Sequence, residues 1–177
     1  MTGVQTCALP IYSSGPSVET GTYEAALRRF HAALAAEPTP GFISSTTYRI
    51  GDSYADWYLV ENSAALDPLN DAAVKGARSS PHDAVAHMSA NFAGKLLALR
   101  SGRAETEPGF EIRLSKPAGM AYAEFYERLQ PWTDRAEVSL WRRMMVLGPA
   151  PEFCLVAPTE HELPSEMRPE VLRREPI

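Results

Sequence analysis

Gly51-Asp-Ser-Tyr-Ala-Asp56-Trp57-Tyr58-Leu59-Val60 and Gly148-Pro-Ala-Pro-Glu152-Phe153-Cys154-Leu155-Val156 are the two stretches on which the reading of this chain turns. Each opens on a glycine suited to a turn and closes on an acidic–aromatic–X–Leu–Val run, the composition of a buried strand. The glycines lie 97 residues apart and the acids 96 apart, and an earlier pair, Gly21 and Gly119, lies 98 apart. Behind each earlier glycine runs a helical stripe, Tyr23, Leu27 and Phe30 in one case and Tyr122, Tyr126 and Leu129 in the other. Matches kept in order at a nearly constant offset are the mark of a duplicated core.

Working outward from these stretches, the apolar spacing predicts a helix from Tyr23 that stops before Pro38, whose ring and missing N–H would break it. Phe42–Ile50, rich in β-branched and aromatic residues, predicts a strand entering the Gly51 turn, and Asp56–Glu61 the next strand. Asp67 and Pro68 open a short helix running to about Lys75. Ser80 and Pro81 open another, which carries Val85, Met88 and Phe92 inward and ends at Gly94. Lys95–Leu99 reads as a strand, and the polar Ser101–Pro108 as the linker between the halves, with the boundary at residues 104 and 105. Beyond it come a strand over Phe110–Leu114, a helix over Pro117–Gln130, a long strand over Val138–Leu147 and a strand over Phe153–Val156. The proline-punctuated tail leaves room for a short helix and a last strand near Val171.

Residues 1–11 are set apart. Met1-Thr-Gly-Val-Gln-Thr-Cys-Ala-Leu-Pro-Ile11 resembles a sequencing adapter translated in frame, and it lacks the basic start of a signal peptide. Read so, it stands outside the fold, the first repeat is truncated at its N-terminus, and Cys154 is the one native thiol.

Strand–helix–strand–strand followed by helix and strand is the order of a ferredoxin-like unit. Two such units, 12–104 and 105–177, resemble the dimeric α+β barrel superfamily. That resemblance implies an α+β fold with two sheets facing each other and helices outside. The superfamily includes cofactor-free monooxygenases, small-acid isomerases and decarboxylases, and haem enzymes, and fold likeness alone selects none of them.

Composition narrows the partners. Seventeen basic residues against twenty-two acidic ones, a net charge of −5 and no basic run argue against nucleic acid. No apolar run is long enough to span a membrane. Two cysteines without zinc-like spacing suit a reducing, cytoplasmic setting and no metal site. The chain contains no GxGxxG, P-loop, GxSxG, HExxH or CxxC motif. No cofactor is therefore expected, and the expected partner is a small organic ligand of a monomer or homodimer.

Alternation along Val138–Leu147 puts Ser139, Trp141, Arg143 and Met145 on one face, the mixture of aromatic and cationic groups that suits a ligand cavity. Tyr48, with Ser44 and Thr46, would supply the matching face of the first repeat. Arg143 would pair with an anionic group while Trp141 and Tyr48 stack on an apolar body; more simply, these residues fill an interior with Arg143 paired to Glu152. His82 is the one candidate base, or a haem ligand; its plainer role is a first-turn imidazole beside Asp83. His82 and His87 point about 140° apart on a helix and cannot share a metal ion. Asp83 and His87 form an i,i+4 surface pair. The leading expectation is a small-molecule-binding barrel, with or without cofactor-independent catalysis on a hydrophobic or weakly acidic metabolite. A non-catalytic assembly module and a haem-binding barrel are the alternatives.

Overall fold

The computed structural model describes residues 5–104 and 108–177. Eight antiparallel strands close into a barrel: β1 (Thr6–Ser14), β2 (Phe42–Ile50), β3 (Ser53–Val60), β4 (Ser89–Ser101), β5 (Gly109–Leu114), β6 (Ser139–Arg143), β7 (Phe153–Ala157) and β8 (Glu170–Pro176). Four helices pack outside, α1 (Thr20–Ala36), α2 (Leu66–Ala73), α3 (Ser79–Met88) and α4 (Tyr122–Thr133). Around the barrel the order is β1-β3-β2-β8-β5-β7-β6-β4. The first half therefore reads β4-β1-β3-β2 and the second β8-β5-β7-β6, the same order twice, joined where β2 meets β8 and β6 meets β4.

Alternation sorts the side chains into two cores. Inside the barrel, Leu9, Tyr48, Ala55, Trp57, Leu59, Leu97, Trp141, Cys154 and Val156 form one cluster drawn from both halves. Outside, α1 covers β2 and β3 through Tyr23, Leu27, Phe30 and Leu34, and α4 covers β5–β7 through Phe125 and Leu129. Glu19 caps α1, its carboxylate accepting from the amides of Gly21 and Thr22, which holds it below the usual range. Gly51, at φ +58°, makes the tight β2–β3 turn that a side chain would strain.

Several expectations change. Residues 6–11 do not stand outside the fold: they form most of β1, which bridges β3 and β4 and completes the first half, with Cys7 and Leu9 buried inside the barrel. The irregular Cys-Ala-Leu-Pro spelling hides a period-two strand. The helix expected to run to Gly94 ends at Met88, because Ser89–Lys95 pair with β1 instead, and Phe92 is exposed. The strand expected over Val138–Leu147 ends at Arg143. Beyond it Met145 takes φ +52°, and Met144 and Leu147 close a turn against Leu96. Gly21 lies inside α1 and Gly119 in the loop before α4, whereas Gly51 and Gly148 both lie in the β2–β3 and β6–β7 connections. Part of the linker expected over Ser101–Pro108 lies outside the described residues; Ser101 ends β4 and Gly109 begins β5. Among the described residues no helix is long and apolar enough to cross a membrane.

Candidate functional site

Between the outer face of β1 and β3 and the helices α1, α2 and α3 lies a cavity of about 510 Å³. It is built by helices of the first half. In the first half the β3–β4 connection contains α2 and α3, whereas the β7–β8 connection carries Pro158, Pro164 and Pro169 and forms a single short 3₁₀ turn, Ser165–Met167.

Apolar side chains make most of the wall, among them Phe30 and Leu34 from α1, Leu69 from α2 and Val85 from α3. The polar groups are few and converge from the sheet. Asp56, buried in β3, accepts from the Thr47 hydroxyl at 2.6 Å and from the Tyr58 hydroxyl at 2.9 Å. His31 Nε2 lies 3.3 Å from the same carboxylate, its Nδ1 2.7 Å from Ser45 Oγ, and its ring stacks on Tyr58. Burial by itself pushes the Asp56 carboxyl up, but the contacts with His31 and Thr47 outweigh it, and the net shift is below the ordinary aspartate range. Tyr12, in β1, is 4% exposed and lines the same cavity; its hydroxyl makes no hydrogen bond of ordinary geometry but lies close enough to the Asp56 carboxylate to interact with it. Burial first, and the nearby Asp56 carboxylate second, push this phenol far up, so it stays protonated.

His82 stands on the α3 wall. Its ring meets Phe30 edge to face and its Nδ1 lies 3.1 Å from the Asp83 carboxylate. His87 turns away to the backbone carbonyl of Asp83 at 2.6 Å, so the expected Asp83–His87 side-chain pair gives way to Asp83 with His82.

The other residues singled out from the sequence meet elsewhere. Tyr48 and Trp141 are buried inside the barrel, where Trp141 packs edge to face on Trp57 at 5.4 Å and donates its Nε1–H to Ser139. Arg143 faces the same interior and donates from Nη1 to the Gly148 carbonyl at 2.6 Å. The acid expected to hold Arg143 is instead taken by its neighbour: Arg142, on the outer face, donates from Nε to Glu152 at 2.6 Å and lies over the Tyr122 ring. Tyr48, Trp141 and Arg143 thus share one interior, and His82 lies across the sheet from them. At the level of Trp57 and Trp141 that interior is packed with side chains.

Sequence reasoning passed over Tyr12, His31 and Asp56. A signal for His31 was present: it lies four residues after Leu27, on the buried stripe of α1. Ser45 and Thr47 in β2, and Asp56 in β3, fall on the strand positions that face that stripe.

No family model and no curated protein matches the chain. Several solved structures do, among them the following. A candidate chlorite dismutase is 12% identical over 88% of this chain and 80% of its own, with a TM-score of 0.56. A candidate monooxygenase from Lactobacillus acidophilus is 10% identical over 86% of this chain and 75% of its own, also at 0.56. The fold is that of the α+β barrels. SnoaB, a cofactor-independent oxygenase from Streptomyces nogalater, aligns over 58% of this barrel chain and 99% of its own, at 18% identity and a TM-score of 0.45. At these identities the barrel architecture is what is shared.

Proposed function

We propose that this barrel binds a largely apolar, uncharged small molecule in the cavity between β1, β3 and the helices α1–α3. The observation that carries the reading is the buried Tyr12 hydroxyl on the wall of an apolar cavity, without a well-formed hydrogen bond and beside an Asp56 carboxylate already bonded to Thr47 and Tyr58. A buried polar group left unpaired is costly, and a ligand carbonyl or hydroxyl would satisfy it. Among the described residues, Asp56 and Asp67 line the cavity and no lysine or arginine does, which disfavours an anion. For the same reason this cavity does not suit haem, whose propionates favour cationic partners.

Where the ligand carries a weakly acidic O–H or C–H, His82 is the group placed to take the proton. The Asp83 carboxylate beside Nδ1 favours the tautomer with the proton on Nδ1 and leaves Nε2 to accept. Tyr12 would donate to the oxygen on which negative charge develops. The Asp56–His31–Thr47 cluster holds the sheet side of the wall rigid beneath it. The shared strand order of the halves supports reading the chain as a tandem repeat in which α2 and α3 equip one half for binding.

The test is a thermal-shift and calorimetric screen against neutral aromatic hydroxyketones and related compounds. Binding should raise Tm, and Tyr12→Phe should weaken it about tenfold, the scale of one lost hydrogen bond to a buried group. His82→Gln should weaken binding only modestly while slowing the exchange of an acidic C–H proton for solvent deuterium to the uncatalysed rate. Failure of every compound in this class to raise Tm would sink the reading. The assembly-module alternative has one observation behind it, the exposed apolar turn of Met145, Val146 and Leu147, and would then become the better account.

A further inference from the structure

Strand register fixes which charged side chains enter the barrel. Cys154 faces the interior, so its cross-strand partner Arg113 does too, and Glu111, two residues earlier on β5, follows the same parity. Leu97 faces inward opposite Arg143, and Lys95 lies two residues before it on β4. Arg174, on β8, lies over the rings of Tyr48 at 3.8 Å and Trp57 at 4.8 Å. Among the described residues the interior therefore holds Lys95, Arg113, Arg143 and Arg174 against Glu111 and Glu170. Glu170 is at the mouth with its side chain more than half exposed.

This arrangement is short of negative charge. Glu111 is committed to Arg113, whose Nε donates to Oε1 at 2.7 Å. Arg174 is 2% exposed, and none of its three guanidinium nitrogens has a hydrogen-bond partner. Arg143 Nε is likewise buried and unpartnered, and so is Glu111 Oε2. Ring stacking satisfies the face of a guanidinium and leaves its edge donors unmet. A buried arginine fork without an acceptor is expensive and is matched in geometry by an oxyanion. One mouth of the barrel opens on a cavity of about 190 Å³ lined by Arg113, Glu170 and Leu172, which brings Arg113, at the edge of the cluster, within reach of a small ion. Among the described residues Lys95 reaches only the Pro151 carbonyl, at 3.4 Å, and burial first, then Arg113, depress its ammonium below the usual lysine range.

We propose that the barrel interior is a second binding site, for a protonated oxyanion of the hydrogen-phosphate type, held by Arg174 with Arg113, Lys95 and Arg143 around it. The unpartnered Glu111 Oε2 sets the protonation state. It needs a donor, which hydrogen phosphate carries and sulfate does not. The site is independent of the apolar cavity, from which the sheet separates it, and neither proposal needs the other.

The experiment measures Tm and calorimetric affinity of the full chain at fixed pH and fixed ionic strength, exchanging sodium chloride for sodium phosphate, sodium sulfate or ethyl phosphate. A saturable rise in Tm with phosphate that exceeds the sulfate effect supports the site. A comparable rise with ethyl phosphate identifies the head of a larger phosphate monoester as the natural occupant, and a rise with inorganic phosphate alone identifies the free ion. Arg174→Met keeps the stacked volume and removes the donors; it should weaken phosphate about tenfold or more, the scale of a charged hydrogen bond. Glu170→Gln, at the exposed mouth and tolerant of change, should tighten phosphate roughly two- to fivefold by removing a like charge. The proposal is overturned if phosphate acts no differently from chloride or sulfate. It is equally overturned if Arg174→Met binds phosphate as the parent does, or if Glu170→Gln does not tighten it.

Discussion

Asp56 shows at the residue scale how packing and charge meet in this molecule. Three neighbours, His31, Thr47 and Tyr58, are arranged around a carboxylate that is almost wholly buried. Asp56→Ala should cost roughly 3 kcal/mol or more, because several buried polar groups lose their partner at once; urea unfolding of the variant measures it. The pH dependence follows from the same contacts. The folded-state pKa of Asp56 lies below its ordinary value of 3.8, so the unfolded chain binds more protons in acid. Its contribution is fully present above about pH 4 and is lost as the pH falls through the folded value. An Asp56→Asn variant should therefore show a flatter loss of stability in acid than the parent. Burial pushes both thiols, Cys7 and Cys154, well above the usual cysteine range. Neither should react with a thiol reagent in the native protein on the timescale of minutes, whereas both should titrate in denaturant. Trp141→Ala, in the packed interior, should cost about 3–5 kcal/mol and leave ligand affinity in the helix-side cavity unchanged, which separates the two sides of the sheet.

At the scale of elements, β1 is the test of how the barrel closes. It pairs with β3 on one edge and β4 on the other, so its loss would leave two open edges and expose the interior around Trp57. Deleting residues 1–11 is expected to abolish the cooperative thermal transition or lower Tm by more than 10 °C, on the scale of several kcal/mol for a chain of this size. Circular dichroism of the truncated chain reads this directly. β4 and α3 explain why local reading stumbled. Val85, Met88 and Phe92 keep a helical spacing, yet Ser89–Lys95 are claimed by β1, and a strand that needs a partner outweighs a marginal helical extension. α1, β2, β3, β5 and β7 were legible because their apolar residues keep a single period from end to end and terminate at Gly or Pro.

For the whole molecule, the barrel interior is one core made jointly by both halves, with Trp57 from the first against Trp141 from the second. A fragment ending at Ala104 should therefore show no cooperative melt as a monomer, since half the partners of its buried face are missing. By itself the sequence determined the α+β composition, the repeated element order and the alternation that sends Tyr48, Trp141 and Arg143 to one face. Each of these follows from local periodicity and turn chemistry, which neighbouring residues encode. Only the tertiary structure decided that Trp141 packs on Trp57 and that the larger cavity lies behind the sheet. Only it brought Tyr12 and Asp56 from the sheet and His82 from α3 to one cavity, with His31 against Asp56, and Arg174 beneath two aromatic rings. Those juxtapositions join residues tens to more than a hundred positions apart, and they depend on strand register and helix docking, for which no local pattern in the chain carries a signal.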